Sequence, residues 1–381
     1  MITKRIKGYG VVPLLLLVGM AARGQQSPVI TNVAKGPRLI IHSEIGVTNQ
    51  ILYTNCLAGS NTWILLTSLV VTQSPYPFVD GEASTDAARF YRVVVPTGPP
   101  PPPPTNMTVV HVESFTMGDN LDGEDASLPL HSVLVSEFQM DKYLVTKQLW
   151  DAVYNWAIMH HYSFDYGADA KAANHPVQMV TWYDCVKWCN ARSEQEGRIP
   201  AYYTSAWQTN VYRSGQTNVQ NDWVKWDRGY RLPTEAEWEK AARGGLNGKR
   251  FPWGDIISWT QANYYSVSWL PYDKNTNSGY HPAFASGALL YTSPVGAFAT
   301  NGYGLYDMAG NVEQWCWDWY DDYSNASQTD PHGPGSGSYR VFRGGDWYDL
   351  ALYCRSAYRN SDVPGLRAPY LGFRCVLPGG W

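Results

Sequence analysis

The chain has 381 residues, enough for one large domain and a smaller companion. Only 16% of them are charged, whereas 17 are Trp and 27 are Tyr, a composition that excludes a solvated, disordered polymer. The formal net charge is −4 and no basic cluster or basic helix stands out, which argues against nucleic acid as a partner.

At the start, Lys4, Arg5 and Lys7 precede the short apolar run Val11 to Met20, and Ala22-Arg23-Gly24 offers a small-x-small cleavage site. Residues 1–24 therefore read as a signal peptide, with an apolar run too short to span a membrane. No Cys follows to carry a lipid anchor. The expected location is secreted or periplasmic. In an oxidising compartment disulfides are the default for Cys56, Cys185, Cys189, Cys316, Cys354 and Cys375. No Cys-x-x-Cys pair is present, which argues against a zinc ribbon.

Residues 25–96 are strand-like. The runs beginning at Arg38, Gln50, Thr62 and Phe90 are β-branched and aromatic, with turn residues between them. They predict a small all-β, sandwich-like module without chemistry-bearing residues. Residues 97–105 include six consecutive prolines, Pro99 to Pro104, which predict an extended linker. Residues 106–379 form the large domain. Helices are expected from Thr146 to about Ile158, from Trp182 to about Glu196, and from Thr234, where Glu237 completes a capping box. Beyond these, Gly, Pro, Asn, Asp, Trp and Tyr dominate with little periodicity. The fold class is α+β, with much irregular structure held by turns and aromatic packing.

Several stretches carry a stronger signal. In order they are Ser114-Phe-Thr-Met-Gly-Asp, the run from His131 to Thr146, His175-Pro-Val-Gln-Met-Val-Thr-Trp-Tyr-Asp, and Gly229-Tyr-Arg-Leu-Pro-Thr-Glu-Ala-Glu-Trp. Phe251-Pro-Trp-Gly-Asp, the run from Asn301 to Trp315, Arg343-Gly-Gly-Asp-Trp, Arg355-Ser-Ala-Tyr-Arg-Asn and Leu371-Gly-Phe-Arg-Cys follow. As an ordered set they resemble the formylglycine-generating enzyme, or sulfatase-modifying factor, family. The resemblance implies a C-type-lectin-like fold. It also implies an oxygen-dependent oxidase that converts a sulfatase cysteine to formylglycine on a copper(I) ion held by two cysteines. Soft copper(I) prefers such thiolates.

The family places those cysteines four and nine residues after the second glycine of its Gly-Gly motif. Here that glycine is Gly345; the ninth residue is Cys354, but the fourth is Asp349, a hard oxygen donor. Asp346 also replaces the usual serine. For Cys354 two roles stand open, the surviving copper thiolate or a structural thiol or disulfide. For Asp346 and Asp349 the choice is between holding a hard cation and capping a turn, with turn-capping favoured.

The resemblance further pairs Cys189 with Cys375 and suggests calcium. Asn263 and Tyr264 match the start of one calcium site, and Asn311 and Gln314 match another, where Gln314 stands for a glutamate and Glu313 comes one residue early. We also consider a Cys185–Cys354 disulfide. Two functions follow. One is a lectin-like module that binds a peptide, protein or glycan, sulfatases among them. The other is an active copper-dependent oxidase. Asp349 favours the first. Arg359 and Arg374 are expected to be buried ion-pair partners rather than groove residues.

Overall fold

Alternating β-branched and aromatic runs form strands wherever turn residues break them, and the first module shows this directly. The computed structural model describes residues 29–33, 36–41, 48–54, 64–70, 76–79 and 90–94, and then residues 106–379 except 124 and 288–290. The signal-peptide reading, the proline linker and Cys56 lie outside the described residues. The chain divides near Pro99 into two compact units.

In the first unit, β1 (Val29–Val33), β2 (Gly36–Ile41) and β5 (Tyr76–Val79) make one antiparallel sheet in the order β1-β2-β5. A second antiparallel sheet has the order β4-β3-β6, from β3 (Thr48–Thr54), β4 (Ile64–Val70) and β6 (Phe90–Val94). Of these, β1 and β5 had no counterpart among the predicted strands.

The second unit is α+β with short elements. Its strands are β7 (Met107–Val110), β8 (Glu113–Met117), β9 (His131–Val135), β10 (Phe138–Asp141), β11 (Glu313–Trp319), β12 (Gln328–Thr329), β13 (Arg340–Arg343), β14 (Asn360–Asp362), β15 (Leu371–Gly372) and β16 (Val376–Pro378). They form three sheets, ordered β16-β10-β7, β12-β9-β8 and β14-β13-β11-β15. The third carries the candidate site, with β13 antiparallel to β11 and β15 parallel to it.

Three α-helices stand where apolar spacing and the Thr234 capping box predicted them. α1 (Lys147–Met159) starts after Thr146, whose hydroxyl accepts from the Leu149 N–H. α2 (Trp182–Gln195) is capped by Thr181 and buried on every face from Trp182 to Ser193. That explains its weak amphipathic pattern, because a helix enclosed all round needs no polar side. α3 (Glu235–Arg243) carries the reciprocal Thr234–Glu237 capping box and ends on left-handed Gly244.

The core is aromatic. Trp150, Trp182, Trp188, Trp238, Trp315 and Trp317 are all fully buried. Trp150 and Trp188 stack at 5.8 Å, and the Trp182 indole donates to the Cys316 carbonyl. Charge is buried too, as matched pairs. Arg192 forks onto Asp141, Arg231 onto Glu237 and Arg359 onto Glu235, while Glu239 receives both Arg243 and Arg343. Arg374 donates to the Gln314 side chain and to carbonyls of Asp141, Tyr306 and Asp307. Arg359 and Arg374 are thus interior scaffold. No helix among the described residues is long and apolar enough to cross a membrane.

Candidate functional site

The site forms where β13 leaves its sheet. Gly344 and Gly345 turn the chain with φ of 105° and 66°. A side chain at 345 is sterically barred, since a Cβ there would lie 2.8 Å from the Cys354 sulfur and 2.9 Å from the Tyr353 carbonyl oxygen. The glycine lets the loop double back, so that Asp346 and Asp349 lie beside Cys354. Gly310, at φ 72°, plays the same part opposite: a Cβ there would meet the Asn263 carbonyl oxygen at 2.3 Å.

Backbone bonds fix the loop. The Gly310 N–H donates to the Gly344 carbonyl, the Trp347 N–H to the Asn311 carbonyl, and the Tyr265 N–H to the Asp349 carbonyl. The Asp346 carboxylate accepts from the N–H groups of Tyr348 and Asp349, an Asx turn. The turn-capping role expected for Asp346 is therefore present. Asp349, whose own N–H is one of those donors, makes no such cap with its side chain. It points instead toward a third acid.

That acid is Glu313, the first residue of β11. Glu313, Asp346 and Asp349 each place a carboxylate oxygen within 4.8 Å of the others. Glu313 and Asp346 are 2% exposed and Asp349 is half-buried. Burial, reinforced by the neighbouring carboxylates, pushes Glu313 and Asp346 well above the ordinary carboxylate range. Burial pushes Asp349 up to about 7. Cys354 is fully buried beside them, and burial followed by the charges of Asp349, Asp346 and Glu313 raises its thiol well above normal.

Copper(I) does not fit this donor set. The position of one thiolate is a carboxylate, and the remaining sulfur sits among three acids that oppose its ionisation. The calcium residues divide. The Gln314 side-chain oxygen accepts from the Trp238 indole and from the Arg374 guanidinium at 2.7 Å, and a cation already beside it disfavours a second. Asn311 is bound to Ser293 and Asp307 through its amide. Asn263 donates to the Tyr291 carbonyl, while the Tyr264 hydroxyl donates to Asp273. Asp273 and the alignment of Glu313 with the Gly-Gly loop escaped the sequence reading; nothing in local spacing joins residues brought together only by the fold.

The cysteines also sort themselves. The Cys189 and Cys375 sulfurs lie 3.6 Å apart as thiols. Cys185 belongs to the core around α2, whereas Cys354 belongs to a separate cluster with Phe251, Ile257 and Tyr264. The Cys185–Cys354 pairing is therefore not made: Cys185 lies in the core beside Asp184 and Cys375, in a different cluster from the Gly-Gly loop.

Around the acids stands an aromatic rim. Tyr280 packs against Tyr265 at 4.8 Å, Tyr291 at 5.0 Å, Trp347 at 5.9 Å and Tyr348 at 6.1 Å. Tyr348 is 59% exposed. A separate cavity of about 360 Å³ opens over the start of α3, lined by His131, Glu235, Asp318, Tyr323, His332 and Arg359 among others. Burial, with Glu235 beside it, pushes Asp318 up to about 8, and burial lowers His332 to about 4.

Comparison with known proteins agrees with this architecture. Residues 95–378 match the family described as the sulfatase-modifying factor enzyme 1-like domain. The chain is 34% identical over 298 residues to a formylglycine-generating enzyme of Streptomyces coelicolor, covering 69% of this chain and 86% of that protein. It is 32% identical to the formylglycine-generating enzyme of Mus musculus, covering 74% and 77%. Among solved structures, Treponema denticola variable protein 1 aligns with a TM-score of 0.54 at 28% identity, over 72% of this chain and 95% of that one. CarF aligns at 0.55 and 26%, over 73% and 99%. From motif order, fold and these likenesses together, the chain belongs to the formylglycine-generating enzyme, or sulfatase-modifying factor, family.

Proposed function

We propose that this protein binds a ligand on the family scaffold and does not oxidise cysteine. The observation that carries the reading is the exchange of the copper position for carboxylates: Asp349, with Asp346 and Glu313 within 4.8 Å, stands where a second thiolate would be. The reaction needs a soft ion held by sulfur and open to a substrate thiol. Three acids around one neutral, buried sulfur supply neither.

What remains is a recognition surface. Tyr348, on the loop between Asp346 and Asp349, is exposed, and Tyr265, Tyr280 and Tyr291 are half-buried beside it. Such rings offer apolar faces to a sugar or to an extended peptide, with carboxylates at hand for hydroxyl or basic groups. A peptide, protein or glycan partner follows, and the relatives' name, formylglycine-generating enzyme, keeps a sulfatase-type protein among the candidates. Export by the residue 1–24 signal would place this surface outside the cytoplasm, and the Cys189–Cys375 pair would then be joined as a disulfide.

The test is an oxidase assay on the purified chain with copper(I), oxygen and a Cys-x-Pro-x-Arg peptide, read by mass spectrometry. No aldehyde is expected. Aldehyde formed by the wild type and lost in Cys354→Ser would overturn the proposal in favour of the oxidase.

A further inference from the structure

Elsewhere in this interior, most buried acids have an arginine or lysine of their own. Asp119 has Arg355, Asp141 has Arg192, Glu235 has Arg359, Glu237 has Arg231 and Glu239 has both Arg243 and Arg343. The cluster of Glu313, Asp346 and Asp349 breaks that pattern. No lysine or arginine among the described residues makes an ion pair with any of the three. Glu313 in particular is 2% exposed and has one side-chain hydrogen bond, from the Asn360 amide to Oε1. Its Oε2 has no partner among the described residues, although Glu313 offers an oxygen to the group shared with Asp346 and Asp349. Leaving a nearly enclosed carboxylate oxygen unpaired beside two more acids is expensive without a positive charge at their centre.

We infer that Glu313, Asp346 and Asp349 form a binding site for a hard divalent cation of calcium's size. The inference rests on the reading above that this position no longer serves copper. Geometry admits calcium. Two ligands of one ion stand no further apart than twice the metal–oxygen distance, roughly 4.6–5.2 Å for calcium and about 4.2 Å for magnesium. The three oxygens lie within 4.8 Å of one another, inside the span that one calcium ion can bridge. The donors are all carboxylate oxygen, which favours calcium over softer metals, and Asp349 is half-buried, which leaves water a way to complete the shell. The site is built on a strand end and a backbone-locked turn, so its donors are held before the ion arrives. It is distinct from the positions of Asn263, Tyr264, Asn311 and Gln314.

Trp347 and Tyr348 sit between two of the ligands in sequence, which gives the test a direct readout. Terbium, a calcium-sized lanthanide, is titrated into the EDTA-stripped full chain, with emission sensitised by these rings. Calcium is then used to displace it. Expected are saturable emission, displacement by calcium, and affinity weakened at least about tenfold in both Asp349→Asn and Glu313→Gln. Calcium should raise the melting temperature of the wild type and leave both variants unmoved. In EDTA, Asp349→Asn should melt at or above the wild type, since it removes one of three mutually repelling acids, so misfolding is detectable as such. Absence of saturable binding at several millimolar calcium would overturn the inference. So would unchanged affinity in both variants, which would put the ion at the asparagine positions. Either failure leaves the oxidase assay to decide the wider reading, because aldehyde formation is measured independently of calcium.

Discussion

Replacing Gly345 with Ala tests how the Gly-Gly turn builds the site. Two costs add. An L-residue at φ 66° occupies the left-handed region, about 1–2 kcal/mol. Its Cβ would also lie 2.8 Å from the Cys354 sulfur and 2.9 Å from the Tyr353 carbonyl oxygen, and forcing a carbon into such a space costs about 1–3 kcal/mol. The sum is about 2–5 kcal/mol, which lowers the melting temperature of a unit this size by roughly 5–15 °C. Gly365 supplies the control: a Cβ there meets nothing within 4 Å and φ is not positive, so Gly365→Ala should stay within about 0.5 kcal/mol of the wild type. Urea denaturation of Gly345→Ala, Cys354→Ala and the double variant completes a cycle. Removing the sulfur relieves part of the clash, so the double variant should be less destabilised than the sum by about 1 kcal/mol. A Gly345→Ala protein that melts with the wild type, or strict additivity in the cycle, would refute the steric account.

Glu239 is fully buried between Arg243 and Arg343 and accepts the Gly118 N–H, so Glu239→Gln should cost about 3–5 kcal/mol in urea denaturation by leaving guanidinium groups uncompensated. Asp318, pushed up to about 8 in the folded state, contributes stability that is complete below the unfolded carboxylate range and is lost as pH rises through about 8. Denaturation at pH 5, 6.5 and 8 should therefore show the wild type losing stability relative to Asp318→Asn across that window; parallel curves would contradict the assignment. Non-reducing peptide mapping of the protein folded under oxidising conditions should recover Cys189 joined to Cys375 and Cys185, Cys316 and Cys354 as thiols that alkylate only after unfolding, since all three are fully buried.

Where a feature depends on neighbours in sequence, the text was enough. The Thr234–Glu237 box marked the start of α3 to the residue, because a cap is a bond between residues three apart, and apolar spacing placed the starts of α1 and α2 to within a residue. The motif order identified the family, and the Gly345 spacing singled out Asp349, where the resemblance implies a cysteine. The burial of Arg359 and Arg374 was anticipated; their partners were not, since Glu235 lies 124 residues from Arg359. The same limit hid the acid cluster. Glu313 looked like a calcium ligand displaced by one position. On β11 that one-residue step sends its side chain to the opposite face from Gln314, away from Trp238 and toward the Gly-Gly loop, because strand side chains alternate. The β1 and β5 strands were missed because each is short and carries Pro or Asn within it, residues that weaken a strand pattern.

The loop from Asp346 to Cys354 is held mainly by its main chain. The Asp349 carbonyl accepts from Tyr265, its N–H donates to Asp346, and the turn itself is set by glycines. None of these bonds depends on what the side chain at 349 is. The reacting position is a socket, and the scaffold does not feel which plug it carries. Exchanging a thiol for a carboxylate there alters the donor set without reopening the folding problem. Conversely, Asp349→Cys should return a sulfur to the socket in an intact fold.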